Sequence, residues 1–317
     1  MSAMGDYYDY WVNGKDLRIS HLALGGRPRR ALAQSERAVP RANDWCALEL
    51  DRYDGTEPAL RVDARALEPV RHVLVHGSVA TGETCGFSDV DVAVILDDSR
   101  SFSCDQHEAA VAELRLLLAG AYGFDRLMHH GLMFFMTSGL GAYDQTFLPI
   151  ETLKLARVVH GPRSFAFHSS TVPPELFRER LRNASESLRK RFSSAAFLEN
   201  DFALKTVLSG VLLMPSRVLA TRGIHVYKRD SFRRAREFFD ESSWELVERA
   251  EALRSLWIRP RPSLAGCAVP RRAHPHLRSI VESRFGPRLN TRRLSRKMIE
   301  GLERSARAFF ERVEVLA

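Results

Sequence analysis

Residues 74–96 read LVHGSVATGETCGFSDVDVAVIL. Two apolar runs, one ending at His76 and one starting at Val90, are predicted to be strands, the second of them covered on both faces. Gly77-Ser78 closes the first run, and Asp89-Val90-Asp91 opens the second. Residues two apart on a strand project from one face, so Asp89 and Asp91 are expected side by side. Two carboxylates so placed repel each other and resist desolvation. A divalent cation is the natural compensation, because Mg²⁺ takes oxygen ligands and commonly rests on one or two carboxylates together with substrate phosphates. Upstream, a Gly-Ser pair between a strand and a turn offers backbone N–H groups, a hydroxyl and close backbone approach, which suit a phosphate. A phosphate cradle beside an acid pair is the equipment of phosphoryl or nucleotidyl transfer.

The order of these parts is Gly77-Ser78, ten residues, then Asp89-Val90-Asp91, with an apolar strand ahead of each half. It resembles the signature of the DNA polymerase β-type nucleotidyltransferase superfamily. Ser88-Asp89-Val90-Asp91 is similar to the Ser-Asp-hydrophobic-Asp form of many bacterial members. The resemblance covers residues 73–96. It implies that Gly77 and Ser78 grip the β- and γ-phosphates of a nucleoside triphosphate, with Ser88 in the nucleotide-binding set. It implies that Asp89 and Asp91 bind Mg²⁺ (or Mn²⁺), that an acceptor hydroxyl attacks the α-phosphorus, and that pyrophosphate leaves.

Members of that superfamily usually carry a third carboxylate on a following strand. Here that strand is expected within Phe124–Thr137, which has no acid at its centre. Three readings stand open. His129 or His130 replaces the acid as metal ligand or general base, roles that imidazole can fill. Alternatively Asp125 is the third acid, or Asp144 reaches in from a later loop. The histidines are the favoured choice.

The fold class expected is α+β: a small mixed-sheet nucleotidyltransferase domain followed by an all-α helical bundle. The division runs 1–62 (an extension), 63–162 (the catalytic domain) and 174–317 (the bundle with a basic C-terminal segment). Strands are expected at Trp45–Leu50, Leu60–Val62, His72–His76, Val90–Leu96 and once or twice within 124–137, with Gly131 as a bend. Helices are expected at 63–71, capped by Asp63, at 105–121, ended by Gly120 or Gly123, and at Leu153–Val159. The second half reads as helices over 174–200, 201–221, 231–239, 242–257 and 292–315. In it, Lys228 is a candidate triphosphate contact, and Tyr227 reads first as a half-buried core ring and second as a base-stacking one. The resemblance extends in part to this half, since many bacterial nucleotidyltransferases close the cleft with a helical bundle that brings basic residues to the phosphates.

The chain has 317 residues, 45% of them hydrophobic and 27% charged, a composition that fits an ordinary globular protein with two domains. No run of about 18 uncharged apolar residues occurs, so no membrane span is expected. The cysteines (46, 85, 104 and 267) form no CxxC pair, which argues against a zinc cluster and fits a reducing cytoplasm. Residues 259–297 hold eleven Arg or Lys and one acid, a local charge of +10 against +8 for the whole chain. Such a segment suits a polyanion, an RNA or tRNA end above all, or an acidic protein partner. A protein hydroxyl, as in the AMPylating antitoxins of toxin–antitoxin pairs, is the other acceptor favoured by the resemblance. A cationic antibiotic fits this charge less well. A nucleotide or RNA sensor on a decayed transferase fold is the alternative from a different class.

Overall fold

In a computed structural model, the described residues are Tyr8, Val12, 45–55, 60–128, 130–143, 145–146, 148–168, 172–260, 281 and 286–317. The run around the quoted stretch folds as strand β3 (Val70–His76), a short helix α1 (Gly77–Thr81), a loop, and strand β4 (Asp91–Leu96). β3 and β4 are antiparallel neighbours with His76 opposite Asp91. They form the middle of a five-stranded mixed sheet in the order β2-β6-β3-β4-β5, with β2 at Asp51–Arg52, β5 at Met133–Met136 and β6 at Arg157–His160. A separate antiparallel pair joins β1 (Trp45–Glu49) to β7 (Ser164–His168). Residues 45–52 therefore contribute edge strands to both sheets. The α+β class is as expected.

Each face of the central sheet is covered, which explains the near-continuous apolar run of β4. Val73, Val75, Val92, Val94 and Leu96 pack with helix α2 (Cys104–Phe124), on Val111, Leu114, Leu118 and Ala121. Leu74, Ala93 and Ile95 face the other way, onto Tyr143, Leu148, Leu153, Phe165 and Phe167. α2 begins at a capping box in which the Ser103 hydroxyl accepts the Gln106 N–H and the Gln106 side chain accepts the Ser103 N–H.

Several element boundaries differ from expectation. Neither Gly120 nor Gly123 stops α2, which runs to Phe124 because burial of its apolar face outweighs the roughly 1 kcal/mol cost of each interior glycine. The strand expected across 124–137 shrinks to Met133–Met136, with an irregular stretch before it. The helix expected at Leu153–Val159 is short α3 (Ile150–Leu153), and the β-branched pair Val158-Val159 enters strand β6 instead. Asp63 does cap a helix, but a 3₁₀ turn of four residues, Ala64–Leu67. Leu60–Val62 joins no strand.

The second half is helical: α4 (Pro174–Ser193), α5 (Asp201–Ala220), α6 (Lys228–Ala235), α7 (Glu241–Ser255) and α8 (Arg296–Leu316). α5 is long and apolar enough to cross a membrane by length and composition, yet 61% of its most apolar window is buried inside the protein. It is the central helix of the bundle core, with Leu204, Val207, Leu208, Val211 and Leu212 all buried. Phe87 and Leu127, from the sheet-bearing half, are buried in that same core.

Candidate active site

The site forms where β3 ends and β4 begins. The backbone turns out of β3 through Gly77, whose φ of 71° lies in the left-handed region. A Cβ there would collide with Asp91 Oδ2, so both the turn and the closeness of its backbone to the acid require glycine. Asp91 opens β4, whereas Asp89 precedes the strand and stands outside its ladder. The two carboxylates nevertheless converge, and they do so on His130. His130 Nε2 is 3.2 Å from Asp89 Oδ2 and 3.0 Å from Asp91 Oδ1. Its Nδ1 points to the Gly131 carbonyl at 3.3 Å.

Charge explains this cluster. Burial works against a charged His130, but hydrogen bonds and attraction from both carboxylates outweigh it and hold the imidazole well above its ordinary range. Burial and the Asp89 charge push Asp91 up, while His130 and His76 pull it below the usual carboxylate range. His76, buried beneath the cluster, is kept neutral by burial, and its Nε2 has no hydrogen-bond partner. One donor atom each from Asp89, Asp91 and His130 lie within 4.8 Å of one another. Adjacent corners of an octahedron with bonds of about 2.1 Å stand about 3 Å apart, close to the 3.0 and 3.2 Å measured here. The donor set therefore fits a hard divalent ion. The imidazole makes Mn²⁺ as suitable as Mg²⁺.

Behind the cluster lies a second acid–cation pair absent from the sequence reading. Lys205, on α5, forms an ion pair with Asp125, and both side chains are sealed, at 0% and 1% exposure. The Lys205 ammonium also stands 3.8 Å from Asp89 Oδ2 and 5.2 Å from the Phe87 ring centroid. Burial raises Asp125 above the usual range even though Lys205 pulls it down. Asp125 is thus engaged by the bundle and stands outside the Asp89–Asp91–His130 group. Lys205 had one available signal in the sequence: it is the lone cation in the apolar stretch AFLENDFALKTVLSGVLLM that continues for several turns after it.

Among the other candidates, Ser78 sits half-buried in α1, beside Gly77. Ser88 is buried, and its hydroxyl accepts the Cys85 N–H at 2.9 Å. Lys228, half-buried at the start of α6, lies within electrostatic reach of both acids. Burial and Arg254 lower its pKa while Asp89 and Asp91 raise it. The Tyr227 hydroxyl lies near Thr81 and is pushed up by burial. His129 and Asp144 lie outside the described residues, as does most of the basic segment, 261–280 and 282–285. Arg259, the first cation of that segment, is engaged at the cleft. It donates to the Cys85 carbonyl at 2.7 Å and stacks 3.9 Å from the Phe124 ring centroid.

Comparison with known proteins agrees with this geometry. No curated protein and no solved structure matches the chain. Residues 59–127 match the family model of the nucleotidyltransferase domain, spanning β3, the Gly77 turn, the acid pair, α2 and Asp125. This part of the chain is a nucleotidyltransferase domain of the DNA polymerase β-type superfamily.

Proposed function

We propose that the protein transfers a nucleoside monophosphate from a nucleoside triphosphate to a hydroxyl acceptor, with release of pyrophosphate. The observation that carries this reading is the meeting of Asp89, Asp91 and His130 against the Gly77 backbone. Asp89 and Asp91 would hold a divalent ion, with His130 Nε2 as third donor in place of a carboxylate. When bound, the ion supplies charge neutralisation at the phosphates and at the attacking and leaving oxygens. The Gly131 carbonyl keeps the proton on Nδ1 and so orients Nε2 toward the acids. The Gly77 backbone and Ser78 hydroxyl border the acids and suit the triphosphate. The Lys228 ammonium, unpaired among the described residues and biased by both acids, balances its negative charge. These are charge-placement roles, and they account for most of the catalysis in reactions of this type.

The basic surface favours an RNA end or a protein hydroxyl over a cationic amino sugar as acceptor. Arg288, Arg292, Arg293, Arg296 and Lys297 are all exposed. The test is label transfer. Protein with each α-labelled triphosphate, Mg²⁺, total RNA and a cytoplasmic lysate should label an RNA or a protein band, and the Asp89→Ala/Asp91→Ala variant should not. Nucleotide binding without label or pyrophosphate from any triphosphate would instead favour a sensor without chemistry.

A further inference from the structure

Lys205 is a buried cation with no part in the transfer chemistry above. It sits on the second turn of α5, four residues after Asp201, and its side chain is fully buried. Its setting is fixed from both ends. Asp201, itself buried, accepts the Asn290 N–H at 2.9 Å and the Thr291 N–H at 2.8 Å, which pins the first turn of α5. Asp125 takes the Lys205 ammonium on Oδ2, while its Oδ1 accepts the Leu127 N–H at 3.1 Å. The Phe87 ring stands 5.2 Å from Nζ. A charge held in place and sealed from water is poorly screened.

That charge bears on one atom of the candidate metal group. Asp89 Oδ2 is 3.8 Å from Lys205 Nζ and 3.2 Å from His130 Nε2. The oxygen that faces the third donor is therefore the one the ammonium reaches. Among the described residues no ion pair joins Lys205 to Asp91, whose Oδ1 meets His130 at 3.0 Å. The two carboxylates are thus unequal, and Lys205 draws on Asp89 alone. A divalent ion bonded to Oδ2 at about 2.1 Å would lie within about 6 Å of the ammonium. At that range two positive charges repel appreciably even in polar surroundings. The negative oxygens of a triphosphate would outweigh that repulsion.

We infer that Lys205 is a positioning residue that weakens the hold of Asp89 on a divalent ion, so that the ion is retained chiefly when a triphosphate completes its shell. This rests on the transfer reading above and deepens it: the ion enters with the nucleotide and leaves with the pyrophosphate. Asp125 sets the strength of the effect, because it shares the ammonium with Asp89.

The test is Mn²⁺ binding, read from the electron paramagnetic resonance signal of the free ion, with and without a non-cleavable α,β-methylene ATP analogue. Lys205→Met with Asp125→Leu removes the charge and keeps the interface filled. Without nucleotide it should tighten Mn²⁺ about tenfold, with a smaller change when the analogue is bound. Asp125→Asn leaves the ammonium to Asp89 and should weaken Mn²⁺ by about the same factor. Damage to the fold would loosen both variants, so opposite shifts mark the charge. Equal affinities in wild type and both variants overturn the inference, as does weakening in both. It is also overturned if wild type binds Mn²⁺ as tightly without the analogue as with it. Opposite shifts in a protein that labels no acceptor would remove the transfer reading alone, because ion binding requires no chemistry.

Discussion

Two acid–cation pairs lie back to back in this protein, and they differ in access. Asp89 and Asp91 meet His130 at a site where the side chains keep 19–26% of their exposure. Asp125 meets Lys205 in a sealed interface at 1% and 0%. The open pair can exchange its cation, since an ion from solvent can take the place of the imidazolium's charge between the carboxylates. The sealed pair cannot, and its value is positional: it joins α5 of the bundle to the end of α2 and puts a fixed positive charge 3.8 Å from Asp89. Openness separates a chemical site from a structural one where the residue types are nearly the same.

The sharpest way to break that contrast is at the open pair. Asp91→Asn should leave the fold intact and reduce pyrophosphate release about a thousandfold, a loss of about 4 kcal/mol of transition-state stabilisation. A reduction under tenfold would show that the pair is not the reacting centre. At the sealed pair the effect should fall on stability. Lys205→Ala strands a buried carboxylate and should cost about 3–5 kcal/mol in urea unfolding, whereas Lys205→Met with Asp125→Leu should recover most of it. If the double variant is as unstable as the single, the pair holds the fold through something other than charge balance.

Away from both pairs, smaller effects calibrate the comparison. His72, on β3, is buried and held at a pKa of about 4 by that burial, although the Ser164 carbonyl 3.2 Å from Nε2 favours its charge. Its folded pKa lies below the unfolded 6.5, so the folded state resists the proton. Stability should be full above pH 6.5 and fall by about 3 kcal/mol as pH drops to 4, levelling below that. The His72→Phe variant should lack this part of the slope. Ser103→Ala, which breaks the capping box of α2, should cost only about 1 kcal/mol by thermal unfolding and leave both pairs intact.

The parts of the site readable from sequence were those with local constraints. The Gly77 turn, the apolar strands and the Asp-x-Asp pair lie within 23 residues; the turn and strands follow from backbone sterics and the strand period, whereas Asp89 reaches Asp91 from outside the strand ladder. His130 was visible only as one of several candidates, because it sits in an irregular stretch between α2 and β5 where no periodicity applies. Lys205 is 80 residues from Asp125, and nothing in the apolar pattern of α5 says which face meets which acid. Val158-Val159 was misread because a short apolar run does not distinguish strand from helix. The bundle helices were legible from their period, but their caps were not: α5 starts at an Asn200 cap, α6 at Lys228 rather than near Ser231, and α7 at an Asp240 cap.

The loop between Gly-Ser and Asp-x-Asp has one more consequence. Gly86 lies so close to the Trp257 carbonyl that a Cβ would collide with it, Phe87 packs edge-on to the Trp257 ring at 5.1 Å, and Arg259 clasps the same loop. The nucleotidyltransferase domain is therefore not a portable cassette. Cut away from its helices it would present Phe87 and Leu127 to water and leave Asp125 without its lysine. The loop between Gly-Ser and Asp-x-Asp takes its shape against Trp257 and Arg259, so the two halves are best engineered as one piece.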